Sequence, residues 1–379
     1  MTLFAACITL LAAYTLLMLH YRRGWLRIRS FANAESYMPK TKVSVVVPAR
    51  NEESHISGCL DGIVRQQYPE VLLETVVVDD GSTDDTAART KAFQDRGVRL
   101  VSLSDIISNN ASRREGKKKA LEAGISSTDG SLVVTTDADC THPPRWVAAL
   151  AGYMEHSGSV MAAAPVRYAR ERSLLDVFQS LDFMTMQGIT AVSVSSGLHA
   201  MANGANLAFL REAYDKVDGY RGIDRIASGD DMLLMEKMWD SFPGRVGYCL
   251  SREAVVETDP PHTLKGFLEQ RVRWASKAAF YRGWRIRLIL LLVYLFNLAM
   301  LGYMIHCFLQ PQEWGRWLLL VFAKSMAELF FLWPVAQFFE KRRLLAWFLP
   351  LQPLHILYIV VSGFFGQMGN YTWKGRSVK

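Results

Sequence analysis

Three pairs of aspartates stand where the chain passes from one predicted element to the next: Asp79 with Asp80, Asp137 with Asp139, and Asp230 with Asp231. Carboxylate oxygens are the ligands that Mg²⁺ and Mn²⁺ prefer, and these ions usually hold a substrate diphosphate as well. Asp137-Ala-Asp139 is therefore a candidate metal site. The first pair could instead accept hydrogen bonds from a nucleoside, and the third could deprotonate a hydroxyl group.

Each pair also has an ordinary structural explanation. Aspartates that follow a buried strand often cap the next helix. Carboxylates in the first turn of a helix are stabilised by the helix dipole, which is enough to explain Asp230 and Asp231. Asp-x-Asp is common by chance in a solvated turn. The aspartates alone leave both explanations open.

A second group of candidates lies on a predicted helix over residues 264–281. Gln270, Arg273 and Trp274 share one face of this helix because their spacings are i, i+3 and i+4. They offer an amide, a guanidinium for phosphate oxygens and an aromatic platform for a sugar ring. The alternative is a basic helix on anionic lipid, since residues 271–287 hold six cations and no acid. That alternative explains the charge but not the glutamine and the tryptophan.

The remaining candidates lie in short polar segments near predicted strand and helix ends: Pro48, Ala49, Arg50 and Glu52; Lys117; and Asn203, Gly204 and Asn206. The first segment follows a strand and could wall a bound base. Lys117, the first of three lysines after Gly116, could contact a diphosphate, although such lysines usually form a solvated helix start. The third segment is a small-residue loop.

The elements that must position these residues alternate along the chain. Short β-branched runs at 43–47, 75–78, 98–103 and 132–136 predict buried strands, and helical spacing is found at 53–66, 83–94 and 116–124. Such alternation predicts an α/β fold with a mostly parallel sheet and right-handed crossovers. Ligands bind at the carboxyl ends of such strands, which is where Asp79, Asp80, Asp137 and Asp139 lie.

Four apolar stretches flank this region, at residues 2–19, 288–309, 317–339 and 344–366. Each is long enough to cross a bilayer. The first lacks a basic n-region and a small-x-small cleavage site, so we interpret it as a signal anchor and not a cleaved signal peptide. Lys324 and Glu328 are the charged residues of the third stretch, and their i,i+4 spacing would let them neutralise each other on a helix.

The basic residues beside these stretches bear on orientation. Four arginines between residues 22 and 29 predict that the following domain is cytoplasmic, and residues 340–343 agree if all four stretches cross. The basic tail at 374–379 disagrees. Either the last stretch, interrupted by Pro350 and Pro353, is re-entrant or interfacial, or another stretch lies in the plane of the interface. We predict an anchor at 1–20, a catalytic domain at 40–285 and membrane segments at 286–370.

Overall charge and composition exclude several classes of protein. The chain has 379 residues, of which 50% are hydrophobic and 21% charged, so it is neither disordered nor fibrous. Its net charge of +7 is concentrated beside the apolar stretches, which leaves the remainder acidic and unsuited to nucleic acid. The five cysteines are scattered without CxxC spacing, which favours a reducing compartment.

Taken in order, the segments PARNEE, VVVDDGS, DAD, GDD and QRVRW, followed by apolar stretches, resemble family 2 glycosyltransferases of the polysaccharide-synthase type. Relatives of that type include cellulose, chitin and hyaluronan synthases and ceramide glucosyltransferase. The resemblance covers about residues 40–285. It implies a GT-A fold, a nucleotide diphosphate sugar donor, with a UDP-sugar expected, and a divalent cation, Mg²⁺ or Mn²⁺.

The resemblance also assigns roles to residues on the donor side. Asp79 and Asp80 match the position that contacts the nucleoside. Asp139, with Asp137, matches the Asp-x-Asp motif that binds metal and diphosphate. The loop containing Asn203, Gly204 and Asn206 resembles the one near the donor sugar.

On the acceptor side, Asp231 matches the general base of the family, and Asp230 stands where many relatives have glutamate. Gln270, Arg273 and Trp274 match QxxRW, which holds the diphosphate and shapes the acceptor site. The implied reaction is a single in-line displacement that inverts the sugar C1, so that an α-linked donor gives a β-glycoside.

The acceptor implied by these features is a hydroxyl of a membrane lipid, a lipid-linked glycan or a growing polysaccharide. Three C-terminal segments favour a single transfer over processive synthesis, which remains an alternative. A second alternative is a membrane subunit that binds sugar nucleotides without turnover, for which the base Asp231 would be superfluous. A transporter is disfavoured because the apolar stretches carry few charges.

Overall fold

The computed structural model describes residues 2–33, 37–107, 116–223, 229–277, 281 and 283–368, with the backbone alone at 107, 371–373 and 376–378. The chain divides into two compact units. One, here called the α/β unit, comprises Arg29–Ala169 and Ala200–Asp259. The other, the helical unit, comprises Met1–Ile28, Arg170–His199 and Pro260–Lys379.

The α/β unit contains strands and helices in alternation. Its strands are β1 (Val43–Ala49), β2 (Leu73–Asp79), β3 (Val98–Ser102), β4 (Leu132–Thr135), β5 (Met161–Ala163), β6 (Val166–Tyr168), β7 (Leu207–Leu210), β8 (Val246–Tyr248) and β9 (Val256–Thr258). Its helices are α2 (Ile56–Val64), α3 (Thr86–Lys91), α4 (Leu103–Ile107), α5 (Lys117–Ser126), α6 (Trp146–Ser157), α8 (Arg211–Lys216) and α9 (Asp230–Ser241).

Seven of these strands form one sheet in the order β3-β2-β1-β4-β7-β5-β8. The pairs β3–β2, β2–β1, β1–β4 and β5–β8 are parallel, whereas β7 runs antiparallel to both β4 and β5. The prediction of a mostly parallel sheet is confirmed. The valines of β1 and β2 are fully buried, as expected for strands covered on both faces.

The register of the central strands aligns the candidate residues. Ala49 lies opposite Asp79, and Val46 lies opposite Thr135, so β1, β2 and β4 end at the same edge of the sheet. Helix α5 packs tightly against this sheet: a Cβ atom on Gly124 would come within 2.5 Å of the Val46 side chain. Glycine at this position lets the helix approach closely and fixes where its first residue, Lys117, emerges.

The helical unit consists of long helices and a terminal β-hairpin. Its helices are α1 (Thr2–Arg27), α7 (Leu174–Ser195), α10 (Leu264–Ser276), α11 (Trp284–Leu309), α12 (Trp314–Phe338) and α13 (Phe348–Gln367), and its strands are β10 (Tyr371–Trp373) and β11 (Arg376–Val378). Among the described residues, four segments are long and apolar enough to cross a membrane, at Thr2–Arg27, Trp284–Leu309, Pro311–Phe338 and Arg342–Gln367. By length and composition, the four predicted stretches are confirmed.

The predicted pairing of Lys324 with Glu328 is also observed on α12. The Lys324 ammonium lies 2.6 Å from Glu328 Oε1, and both side chains are buried. The hydroxyl of Tyr14 and the amide of Gln352 donate hydrogen bonds to the same carboxylate. These added partners satisfy an ion pair that would otherwise be costly in an apolar surrounding.

The last apolar segment differs from the expectation of a helix broken by proline. Pro350 and Pro353 both lie within α13, which runs without a break and is preceded by a 3₁₀-helix at Arg342–Trp347. Pro350 stands in the first turn, where the missing N–H has no partner to lose. The side chains of the basic tail at 374–379, which opposed the predicted topology, lie outside the described residues.

The compact units also divide the chain differently from the single predicted interval 40–285. Helix α7 and helix α10, which we expected in the catalytic domain, belong to the helical unit. Helix α7 packs against α1 and α12, and α10 packs against α13. Both helices are amphipathic, and amphipathicity does not reveal which apolar partner a helix will cover.

Candidate active site

The Asp-x-Asp motif forms a turn directly after β4. The N–H of Cys140 donates to the carbonyl of Asp137 at 3.2 Å, so the backbone has left the strand conformation at the first aspartate. Ala138 is buried, whereas Asp137 and Asp139 are half-buried. The turn therefore removes the strict alternation of a strand, which would have pointed the carboxylates to opposite faces.

Lys117 bridges an aspartate of the Asp-x-Asp turn and an aspartate of α9. Its ammonium lies 2.5 Å from Asp137 Oδ1 and 3.5 Å from Asp230 Oδ2. Burial alone would lower the pKa of Lys117, but the charges of Asp137 and Asp230 outweigh it and raise that pKa above its ordinary value. The side chain is thus a cation throughout the physiological range.

Of the three consecutive lysines, Lys117 is the one that reaches the carboxylates. Lys118 is buried and donates to the carbonyl of Ile223, and Lys119 pairs with Glu122 one turn further along α5. The sequence predicted that Lys117 contacts a diphosphate. Because consecutive residues of a helix point in different directions, the three lysines have three different sets of partners.

Asp230 and Asp231 occupy the first turn of α9, after Gly229 in the left-handed region at φ 83°. Asp231 Oδ2 accepts a hydrogen bond from the N–H of Gly204 at 3.1 Å, and Oδ1 accepts from the N–H of Met232 at 2.8 Å. Both bonds fix the orientation of the carboxylate.

The loop at residues 203–206 packs against the cluster of Lys117, Asp230 and Asp231. Space beside Gly204 is tight, since a Cβ atom there would lie 3.3 Å from both Asp230 Oδ2 and Lys117 Nζ. Asn206 is fully buried: its oxygen accepts from Trp146 Nε1 at 2.9 Å, and its amide donates to the carbonyls of Pro165 and Ala254. Asn206 thus holds the loop in place and does not offer its side chain to a ligand.

The Asp79-Asp80 pair divides into two environments. Asp79 is half-buried and accepts from the N–H of Ser82. Asp80 is 3% exposed, and its carboxylate accepts from the N–H of Gly116 at 3.2 Å, directly before Lys117. The geometry leaves Asp79 as the more accessible carboxylate for a nucleoside, while Asp80 positions the start of α5.

The segment after β1 lies beside Asp80. Arg50 Nη1 donates to the carbonyl of Asp80 at 2.5 Å and lies 3.8 Å from its Oδ2. The carbonyl of Ala49 accepts from the N–H of Asp80, and Pro48 lies beyond the end of the β1–β4 pairing, where an N–H is not required. The carboxylate oxygen Oε2 of Glu52 lies 3.3 Å from Nδ1 of His55. The carboxyl ends of β1 and β2 therefore lie next to each other, as predicted.

The donor chemistry of Asp137 and Asp139 suits Mg²⁺ or Mn²⁺, which prefer carboxylate oxygens. The part of the chain that the structure describes holds no group of three His, Cys, Asp or Glu residues arranged for a metal. At a phosphate site, Mg²⁺ is usually bound by one or two carboxylates. Substrate phosphates and water complete its coordination shell. Asp137 and Asp139 therefore fit such an ion.

Gln270, Arg273 and Trp274 lie on α10 in the helical unit, whereas all the aspartates of the site lie in the α/β unit. All three are half-buried, and Trp274 packs against Phe183 with ring centroids 5.9 Å apart. Their contact with a diphosphate or an acceptor remains a prediction.

His142 and Trp146, which no sequence motif singles out, also support the site. In the structure, His142 Nε2 lies 2.8 Å from Thr136 Oγ1, and the His142 ring packs against Trp146 with ring centroids 4.2 Å apart. Trp146 in turn donates a hydrogen bond to Asn206. Burial lowers the pKa of His142 to about 3, so the ring stays neutral. It supports the site by packing against Trp146. No motif pointed to this support, since its members are distant along the chain.

Replacing Lys117 with methionine is expected to weaken binding of UDP about 10- to 100-fold, because a charge-assisted contact to the diphosphate is lost. Lys119→Met is the matched control, since it removes a lysine from the same helix that pairs with Glu122. Isothermal titration with UDP and Mn²⁺ measures both. Equal affinities in the two variants would show that Lys117 does not bind the diphosphate.

The same lysine sets a pH expectation. The pKa of Lys117 is raised in the folded protein. Its contribution to folding stability is therefore complete below the ordinary pKa of 10.5, and it is lost only as the pH rises through the raised pKa. Lys117 therefore gives UDP binding no alkaline limb below about pH 10. A loss of UDP affinity between pH 7 and 9 in the wild type, absent from Lys117→Met, would contradict this.

Two family models match the sequence. "Glycosyl transferase family 2" matches residues 44–218, and "Glycosyl transferase family group 2" matches residues 132–362, which is more than half of the chain. Together they include every candidate residue described above.

Curated relatives and a solved structure agree with these matches. The chain is 28% identical over 270 residues to a probable glycosyltransferase, YdaM, from Bacillus subtilis and 32% identical over 248 residues to an N-acetylglucosaminyltransferase from Rhizobium meliloti. These alignments cover 67% and 62% of this chain, and 61% and 55% of the relatives. The chain thus spans less than two thirds of either relative.

The fold is shared with the mannosyltransferase PcManGT from Pyrobaculum calidifontis, solved in complex with GDP-Man and Mn²⁺. The TM-score is 0.56 at 22% identity, and the alignment covers 96% of this chain and 99% of that one.

Proposed function

Because the chain belongs to glycosyl transferase family 2 and has the GT-A fold, we propose that it transfers a sugar from a nucleotide diphosphate sugar to a hydroxyl of a membrane lipid or a lipid-linked glycan. A UDP-sugar is the expected donor, and inversion at the sugar C1 is the expected stereochemistry.

One observation carries this proposal most directly. The Lys117 ammonium lies within 2.5 Å of an Asp-x-Asp carboxylate and within 3.5 Å of Asp230, the neighbour of Asp231. Residues expected to bind a diphosphate and residues expected to act on an acceptor therefore share one cluster. A protein that only binds sugar nucleotides needs the first group and not the second.

The reaction assigns one role to each residue. Asp231, oriented by the N–H groups of Gly204 and Met232, accepts the proton of the acceptor hydroxyl. The acceptor oxygen forms a bond to C1 as the bond from C1 to the diphosphate breaks, and the electron pair leaves with the diphosphate. Lys117 supplies positive charge to that leaving group. A divalent cation held by Asp137 and Asp139 would add Lewis-acid stabilisation.

The proposed acceptor class rests on the four helices that are long and apolar enough to span a bilayer. An enzyme held at the membrane meets lipid acceptors at high local concentration. The arginines between residues 22 and 29 favour a cytoplasmic α/β unit, on the side where nucleotide sugars are made.

The test is transfer from labelled nucleotide sugars by membranes that contain the protein. UDP- and GDP-linked hexoses and N-acetylhexosamines are supplied one at a time with Mg²⁺ or Mn²⁺, and label is followed into the lipid-extractable fraction. We expect one donor to label lipid, and membranes carrying Asp231→Asn to remain unlabelled. Release of free sugar with no labelled lipid or glycan from any donor would contradict the proposed transfer.

A further inference from the structure

Within the QRVRW segment, Arg271 is the most deeply buried residue, although the motif assigns it no role. Only 3% of it is exposed. Its guanidinium pairs with Asp182 on α7, with 2.8 Å between Nη2 and Oδ2, and the Tyr358 hydroxyl on α13 donates to the other oxygen of that carboxylate. Three helices of the helical unit thus converge on one buried ion pair.

Arg271 also contacts two of the motif residues directly. Its Nη1 donates to Gln270 Oε1 at 2.7 Å, and its guanidinium carbon lies 4.3 Å from the centre of the Trp274 ring. Phe183 packs against the same tryptophan at 5.9 Å. The guanidinium therefore fixes an amide and an aromatic platform at once, by a hydrogen bond and by a cation–π contact.

We propose that Arg271, held by Asp182 and Tyr358, is a positioning residue that sets the orientation of the Gln270 amide and the Trp274 ring. This inference rests on the proposed function, in which the Gln270–Trp274 face serves the transfer reaction. Contacts with α7 and with α13, which lies in a segment long and apolar enough to cross a membrane, thereby determine the geometry of the motif.

The energetics of a buried ion pair support a role beyond stability. Moving two charges out of water costs free energy that their attraction rarely repays in full, and an apolar pair of similar volume is often as stable. Helix packing alone would therefore not require Arg271 and Asp182. Arginine also provides the planar guanidinium that can stack on a ring while it donates to an amide, which lysine lacks.

The first test separates positioning from stability with a double substitution. Asp182→Asn and Arg271→Met are each expected to lower the melting temperature, because each leaves a buried partner uncompensated. The double variant is expected to recover most of the melting temperature while transfer remains reduced about tenfold or more, a barrier increase of about 1.4 kcal/mol. If transfer recovers together with the melting temperature, the pair is purely structural and the proposal is wrong.

The second test does not depend on turnover. The emission of Trp274 is obtained as the difference between each protein and its Trp274→Phe counterpart. Tyr358→Phe is expected to shift this emission, because it loosens Asp182 and through it the guanidinium over the ring. The matched control is Tyr303→Phe, which removes another buried hydroxyl of the helical unit that donates to a carboxylate, that of Glu313.

The two tests also distinguish this inference from the proposed function. If the wild-type protein transfers no sugar, the proposed function fails, and the Trp274 emission decides the positioning role alone. Trp274 emission that is the same in Tyr358→Phe, in Asp182→Asn and in the wild type would overturn the inference whatever the activity.

Discussion

Asp231→Asn is expected to reduce sugar transfer by about 10²- to 10⁴-fold, the usual contribution of a positioned general base. Asparagine keeps the size of the side chain and one oxygen for the N–H of Gly204 but cannot accept the acceptor proton. Donor binding is expected to survive, because Lys117, Asp137 and Asp139 are unchanged. The measurements are kcat for transfer and the affinity for UDP with Mn²⁺.

The control for this substitution lies on the same helix. Asp240 is exposed near the end of α9, and Asp240→Asn removes a carboxylate without touching the cluster. We expect it to retain wild-type transfer. Near-normal turnover in Asp231→Asn would show that another group takes the proton, and Asp230→Asn would then be the next variant to measure.

Asp139→Ala is expected to abolish metal-dependent transfer, with a loss of about 10³-fold, since metal stabilisation of a leaving diphosphate amounts to several kcal/mol. The fold should tolerate the change, because the ion pair of Lys117 is made with Asp137 and Asp230. Titration of Mn²⁺ in the presence of UDP, followed by electron paramagnetic resonance, measures metal binding independently of turnover.

Asp129→Ala provides the matched control, since this aspartate lies at the opposite end of β4 in an exposed ion pair with Lys42. We expect its Mn²⁺ affinity and transfer to match those of the wild type. Full wild-type activity in excess chelator would refute the metal assignment, and Mn²⁺ binding unchanged by Asp139→Ala would place the ion on other ligands.

Local patterns predicted the α/β unit well for a physical reason. The runs 43–47, 75–78 and 132–136 contain β-branched residues that must be buried on both faces, and each is followed at once by polar residues. Parallel strands place those polar residues at one edge of the sheet. The observed register, with Ala49 opposite Asp79 and Val46 opposite Thr135, follows from this pattern.

Other features depended on contacts between distant segments. Lys117 was named as a candidate from the sequence, but its contacts with Asp137 and Asp230 depend on how α5 rotates as Gly124 packs against Val46. The sequence also could not show that the side-chain oxygen of Asn206 accepts a hydrogen bond from Trp146, which lies 60 residues away along the chain. Helix α10 was predicted in the catalytic domain, and its packing against α13 placed it in the helical unit.

By itself, then, the sequence determined the family, the parallel sheet, the edge at which the aspartates gather and the four apolar helices, because each of these follows from local burial patterns and short motifs. The tertiary structure alone decided that Lys117 joins Asp137 to Asp230 and that Arg271 is held by Asp182 and Tyr358. Such pairings depend on the rotation and close approach of elements remote in sequence, which no local periodicity encodes.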